Sequence, residues 1–257
     1  MKINLFNLYT VHIKKHPKQL SQNAWYVRDF NTFKRLSGVQ SEFPIADNYP
    51  CLNDKFDDSG VANGAYFHQD LFVAKQIYTH KPTKHVDIGS RIDGFIAHVA
   101  VFRPIEIFDI RKLDSKVENI SFIRADLMSD NFNYIDYCDS ISCLHALEHF
   151  GLGRYGDDID PNGHLKGFQK ITQMLKKDGM FYFSVPMGIQ RIEFNAHRIF
   201  SLSYLYKWVT KDFNIISFSF VDDNGDLNEN IQLSDEVIDS SCGCNHGCGI
   251  FVLQKKI

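Results

Sequence analysis

From residue 66 onward the chain repeats one alternation: a short apolar run that reads as a strand, then a stretch of helical spacing, in steps of roughly 20–35 residues. Strand-like runs fall at 85–90, 105–110, 120–127, 140–147, 180–186, 215–223 and 248–256. Helical patterns lie at 66–80, 95–102, 163–179 and 201–210. Such alternation predicts a doubly wound α/β sheet, because each strand face and each helix stripe must find a partner layer. In the first helix Phe67, Leu71, Ala74 and Ile77 or Tyr78 recur at helical spacing. In the third, Leu165, Phe168, Ile171, Met174 and Leu175 share one side, and Gly179 stands where helices commonly stop. Residues 1–65 lack a steady period, and 37–60 carry the Gly, Pro, Asp and Asn of a loop, so the chain divides into an N-terminal extension (1–65) packing on the core and a main domain (66–257).

Composition narrows the function classes. The 257 residues are 44% hydrophobic and 23% charged, as in ordinary globular proteins, with a net charge of −3. No basic block is larger than "HIKKHPK" (12–18), which argues against a nucleic-acid partner. No apolar run reaches the ~20 residues of a membrane span, and the first residues lack the order of a secretory signal, so the cytoplasm is the expected compartment. In that compartment the six cysteines are expected as free thiols.

Ligands of doubly wound sheets sit beyond the carboxyl ends of the strands, so the strand ends carry the chemistry. The first run ends "VDIGSRIDGF", with Asp87, then Gly89 opening a turn, then Gly94 near the next helix. A glycine here lets a ligand approach the backbone, and the helix start offers N–H groups. A plain tight turn uses the same letters. The spacing is not the dinucleotide fingerprint G-x-G-x-x-G, because Arg91 stands at the middle glycine. The second run ends with Asp109, and Asp126 follows the third. Each acid alone would suit a turn, but three on successive strand ends point to a polar ligand.

"CLHALEHFGLG" (143–153) spells H-x-x-E-H through His145, Glu148 and His149. A zinc box of this kind needs both histidines on one helical face, and Gly151 and Gly153 leave little room for that helix. A structural role in loop bonding and a place on an active-site rim both fit. In "RYGDDIDPNG", Asp157, Asp158 and Asp160 could hold a hard cation, but Asp160 before Pro161 reads more simply as a helix cap. "SSCGCNHGCG" spaces Cys242, Cys244, His246 and Cys248 too tightly for a usual zinc knuckle and reads as a turn before the last strand. No metal is assigned.

The acid two residues before Gly89 resembles motif I of class I S-adenosylmethionine-dependent methyltransferases, usually D-x-G-x-G-x-G, from which Arg91 and Asp93 depart. The stretches "YFHQDLFVAK", "HVDIGSRIDGFIAH", "SCLHALEHFGLGRYGDDIDPNG", "YFSVPMG", "EFNAHRIFS" and "VDDNGDL" together resemble a bacterial family known as domain of unknown function 268. The resemblance implies a Rossmann-like α/β fold, with seven mostly parallel strands, helices on both faces and a C-terminal antiparallel hairpin. It implies S-adenosylmethionine as cofactor, bound by Asp87, Gly89, Ser90, Arg91, Gly94, Asp109, Ile110, Asp126, Leu127 and His145. Asp109 would take the ribose hydroxyls, since a carboxylate offers acceptors to both, and Asp126 the adenine amino group. The reaction expected is O-methyl transfer to a sugar hydroxyl, on a nucleotide-activated sugar or another precursor of cell-surface polysaccharide. A base for that hydroxyl is sought first in His149, then in His145, Glu148 and His197. Arg154, Tyr155, Asp157, Asn195 and Arg198 are the expected acceptor contacts, and Tyr66 to Gln69 could close over the cofactor. Partners are a small-molecule or nucleotide-linked sugar, with no nucleic acid and no membrane span; a homodimer is allowed. Two alternatives stay open: a non-catalytic cofactor-binding partner protein, and an NAD-dependent sugar oxidoreductase.

Overall fold

A computed structural model describes residues 24–37, 42–46 and 49–256. The chain forms two compact units, Met1–Val61 and Ala62–Ile257. The basic stretch at 12–18 and the apolar start lie outside the described residues. In the first unit, helix α1 (Ala24–Ser37) occupies a region without readable period. Trp25 meets Phe56 edge-on at 6.0 Å, and Lys55 pairs with Asp29 at 2.7 Å.

The second unit is one mixed sheet of eight strands, one more than expected. In chain order its elements are α2 (Ala65–His80), β1 (His85–Ile88), a π turn (Ile92–Ile96) leading into α3 (Ala97–Ala100), β2 (Ile105–Asp109), β3 (Ile120–Arg124) and β4 (Cys138–Leu144). Then follow α4 (Gly163–Met174), β5 (Leu175–Gly188), β6 (Arg191–Glu193), β7 (His197–Ile199), α5 (Leu202–Val209), β8 (Phe213–Val221), β9 (Leu227–Asn228), α6 (Asp235–Ser240) and β10 (His246–Lys255). The sheet order is β3-β2-β1-β4-β5-β10-β8-β9, while β6 and β7 form a separate hairpin. Strands β3 to β5 run parallel through β1, and β10 runs antiparallel between β5 and β8. The added strand is the two-residue β9 at the edge beside β8.

Two apolar layers cover the two faces. Phe168, Ile171, Leu205 and Trp208 from α4 and α5 pack with Phe181 and Phe183 of β5. Phe72, Val73 and Ile77 of α2 join Phe95, Ile96 and Val99 around Tyr182, the residue between those two phenylalanines. That split follows the two-residue period of a strand buried on both faces.

Three local expectations are corrected. Helix α2 buries Phe72, Val73, Ala74 and Ile77 but exposes Phe67, Leu71 and Tyr78, so its inward face is turned from the one the spacing suggested. Helix α4 stops at Met174, five residues before Gly179, because the N–H groups of Asp136 and Tyr137 take the carbonyls of Gln173 and Met174. Leu175 is already extended and pairs with Cys138. Asp160 does not cap α4: Asn162 holds that position, while Asp160 accepts the Asn162 N–H and pairs with Lys166 at 2.7 Å. All six cysteines are free, and no described helix is long and apolar enough to cross a membrane.

Candidate active site

The parallel strands deliver their carboxyl ends to one rim, on either side of the point between β1 and β4 where strand order reverses. At that point Gly89 turns the chain with φ of +78°, and a Cβ on it would stand 2.8 Å from the Ala146 Cβ. Glycine is therefore required both by conformation and by space. Asp87, fully buried, braces this turn from below. Its carboxylate accepts the Ser90 N–H and hydroxyl, each at 3.0 Å, and the Ser142 hydroxyl. Burial, only partly offset by these bonds, pushes its carboxyl up to about 7. Ser142 also meets His85 Nε2 at 3.1 Å, and burial drives that imidazole down to about 3.

Beyond the turn lies a cavity that opens to solvent. Of the expected cofactor contacts, Gly89, Asp109, Ile110, Asp126, Leu127 and His145 line it. Asp87 is beneath the surface, and Gly94 abuts Asp70, where a Cβ would come within 3.1 Å of Oδ2. Arg91 points outward and forks onto Asp93 at 2.9 and 2.6 Å. Asp109 is 9% exposed and takes its contacts from Arg111, a residue that the strand-end acids alone did not flag. Met128 and Phe150 also line the cavity without having been foreseen. Their signal was proximity: Arg111 and Met128 each follow a strand-end acid by two residues.

The H-x-x-E-H stretch lends His145 and His149 to another wall of the cavity. Residues 147–149 make a single 3-10 turn rather than a metal-binding helix. Glu148 is 1% exposed, and its Oε1 lies 3.2 Å from His145 Nδ1 and 3.6 Å from His149 Nε2. Burial opposes its charge, but His145, and then His149, hold it below the usual carboxyl range. His145 sits at φ of +49° and also touches Cys248 Sγ through Nε2 at 3.2 Å. Burial disfavours its proton, yet Cys248 and Glu148 together raise it well above the ordinary imidazole value. For His149 burial prevails over Glu148, and the group is lowered. Among the described residues, no group of three or more His, Cys, Asp or Glu is disposed to hold a metal ion.

The expected acceptor contacts separate into two sets. Tyr155 and Asp157 line the cavity. Asp157 also organises its own loop, accepting N–H bonds from Gly151, Gly153 and Tyr155. Arg154 lies outside the cavity wall and donates to the Ala196 carbonyl at 2.9 Å. Asn195 is exposed at the tip of the β6–β7 hairpin. Arg198 is a correction: it is 4% exposed and donates to the carbonyls of Glu148, Phe150, Asp160 and Pro161, which makes it a strut of the loop rather than a surface for substrate. His197 does not line the cavity; it lies 3.2 Å from Glu193 and beside His246, with ring centres 5.1 Å apart. Tyr66 lies against His145, ring centres 5.3 Å apart.

Residues 103–256 match the family described as "Caenorhabditis protein of unknown function, DUF268". No curated protein sequence matches the chain. Among solved structures the chain resembles the Burkholderia thailandensis 1,6-didemethyltoxoflavin-N1-methyltransferase, crystallised with bound 1,6-didemethyltoxoflavin and S-adenosylhomocysteine. The TM-score is 0.50 at 12% identity, over 74% of this chain and 79% of that one. It resembles the N-methyltransferase NodS of Bradyrhizobium japonicum WM9 bound to S-adenosylhomocysteine at a TM-score of 0.50 and 11% identity, over 75% and 88% of the two chains. The cyclase SpnF scores 0.53 at 11% identity, over 74% and 81%. These likenesses identify the architecture as the Rossmann-like methyltransferase fold.

Proposed function

The chain belongs to the DUF268 family, and on that premise we propose that it is an S-adenosylmethionine-dependent O-methyltransferase whose acceptor is a sugar hydroxyl, on a small or nucleotide-linked sugar. The observation that carries this reading is the convergence of Gly89, Asp109 and Asp126, from the ends of three adjacent parallel strands, on one cavity. Two relatives in fold hold S-adenosylhomocysteine, which supports the same class of ligand here.

The residues fit such a donor. The bare Gly89 backbone leaves a cradle that a Cβ would fill. Asp109 offers a carboxylate for a ribose diol, and Asp126 one for an exocyclic amine, between the apolar side chains of Ile110, Leu127 and Met128. When bound, the donor supplies an electrophilic methyl group on a sulfonium. The chain's part is then to align the acceptor, exclude water and remove one proton. His149 is suited to the last task. Its Nδ1–H is committed to the Ala196 carbonyl, so the neutral ring carries its lone pair on Nε2. A proton arriving at Nε2 comes within reach of the Glu148 carboxylate, which stabilises the imidazolium. Tyr155, Asp157 and the exposed Asn195 border the acceptor side. The cytoplasm and a role in cell-surface polysaccharide belong to the same reading.

The decisive experiment is calorimetric titration of the whole chain with S-adenosylhomocysteine, with NAD as control and Asp109→Ala as comparison. The expected result is binding of the first ligand alone, lost in the variant. Unchanged binding by Asp109→Ala overturns the site. A second reading, donor binding without methyl transfer, is favoured by one observation: the cyclase SpnF shares the fold. It predicts binding without turnover on any sugar and indifference to His149→Gln.

A further inference from the structure

The carboxylate of Asp109 is held by a single neighbour, through three of its N–H groups. Oδ1 accepts the Arg111 backbone N–H at 2.8 Å and the Arg111 Nε–H at 3.0 Å. Oδ2 lies 3.1 Å from the same Nε and accepts a terminal guanidinium nitrogen. That terminal nitrogen also donates to the Gly89 carbonyl at 3.1 Å, tying the glycine turn to the strand-end acid. The guanidinium carbon stands 4.6 Å from the centre of the Tyr155 ring, a cation–π distance. A carboxylate has about four lone-pair sites, and the three N–H groups that Arg111 brings leave at most one of them for another donor, too few for a diol. No hydroxyl pair can be accepted at Asp109 unless the guanidinium first leaves.

We infer that Arg111 is a specificity-determining residue of the donor pocket, occupying the place of the ribose diol on Asp109 until a ligand displaces it. The inference rests on the donor reading above and adds what a ligand must bring to be admitted. A bidentate guanidinium–carboxylate pair is stronger than two neutral hydroxyl donors. A diol alone therefore does not open the site. A ligand that also fills the apolar space by Ile110, Leu127 and Met128 gains enough to exchange the contacts. The pocket selects for a nucleoside and against free sugars that carry the same diol. Tyr155 holds the guanidinium in its resting place, so the loop that borders the acceptor side also sets donor affinity.

The test is titration of S-adenosylhomocysteine, adenosine and ribose into the wild type, Arg111→Ala and Arg111→Lys, with a thermal melt to verify that each is folded. Arg111 is partly exposed, and the lysine variant keeps the charge without the fork. The expected result is about tenfold tighter binding of S-adenosylhomocysteine by Arg111→Ala, the size set by removing one net charge-assisted contact. Adenosine should gain by the same factor, and Arg111→Lys should fall between. Equal or weaker binding by Arg111→Ala, with the wild type still binding, overturns the inference and leaves the donor reading intact. Ribose binding to the wild type also overturns it. Failure of every protein to bind S-adenosylhomocysteine overturns the donor reading, and the inference with it.

Discussion

His149 donates its Nδ1–H to the Ala196 carbonyl at 2.6 Å, a bond that spans 47 residues of sequence and joins the end of β4 to the β6–β7 hairpin. The bond fixes the tautomer, so that Nε2 is the only ring nitrogen able to accept a proton. Burial keeps the group below its ordinary value of 6.5, with Glu148 working in the opposite direction. The lowering favours the neutral ring, the form that the proposed base requires. The acidic limb of kcat/KM against pH is expected below 6.5. His149→Gln is expected to lower kcat about 100-fold, in the range for general base catalysis, and to erase that limb. A pH–rate profile of both proteins on a sugar acceptor with its hydroxyl free checks this.

Arg198 is the second long-range tie of the loop. Its guanidinium donates to four backbone carbonyls between Glu148 and Pro161, with the Phe150 oxygen nearest at 2.6 Å. Arg198→Met keeps much of the side-chain volume but withdraws this donor, while the Asp160 carbonyl keeps a partner in the Gly163 N–H at 2.9 Å. Each buried acceptor so orphaned costs about 1–3 kcal/mol, so the urea midpoint should fall steeply while the slope stays the same.

Asp87 makes folding stability depend on pH in an unusual direction for an acid. Its folded value, about 7, lies above the ordinary 3.8, because burial disfavours the charged form. The folded state thus holds a proton that the unfolded state has released. This contribution is fully present below 3.8 and is lost as pH rises through about 7. Asp87→Asn should flatten the fall in melting temperature across that window. His85 acts at the other side: its value of about 3 lies below 6.5, so stability present above 6.5 is lost as pH falls.

Two glycines of one loop separate strain from collision. Gly151 has φ of +80°, and a Cβ there would lie 1.9 Å from the Asp160 carbonyl oxygen. Gly156 has φ of +85° but nothing within 4 Å of that position. Gly156→Ala should cost only the left-handed penalty, about 1–2 kcal/mol. Gly151→Ala should cost distinctly more and loosen the segment that carries Tyr155 and Asp157. Thermal unfolding and limited proteolysis of the two variants check the difference.

What the sequence disclosed follows from how local each signal is. The ends of β1, β2 and β4 were legible because alternation and a terminal acid or histidine mark them within a few residues. The true end of α4 was not. Leu175 continues the stripe of Ile171 and Met174, and only the N–H groups of Asp136 and Tyr137, far back in the chain, reveal that the helix has stopped. The hairpin β6–β7 and the two-residue β9 are too short for a period to emerge. Arg198 read as a sugar contact because Arg in a polar loop usually faces solvent; its burial depends on carbonyls some forty residues away. Arg111 escaped notice because its meaning lies in geometry, a side chain folded back on an acid two positions earlier.

The placement of the cavity at the reversal of strand order has an evolutionary consequence. The glycine turn and the acids Asp109 and Asp126 are on one side of that point, and the loops after β4 and β5 on the other. The two halves share a sheet but not their loops, so either can drift while the other stands still. On the proposed function, one acceptor could be exchanged for another by rewriting the segments around Tyr155 and Asn195, without altering the half that carries Gly89, Asp109 and Asp126. That modularity offers a physical reason for one architecture to recur, at 11–12% identity to this chain, in proteins as differently named as an N-methyltransferase and a cyclase.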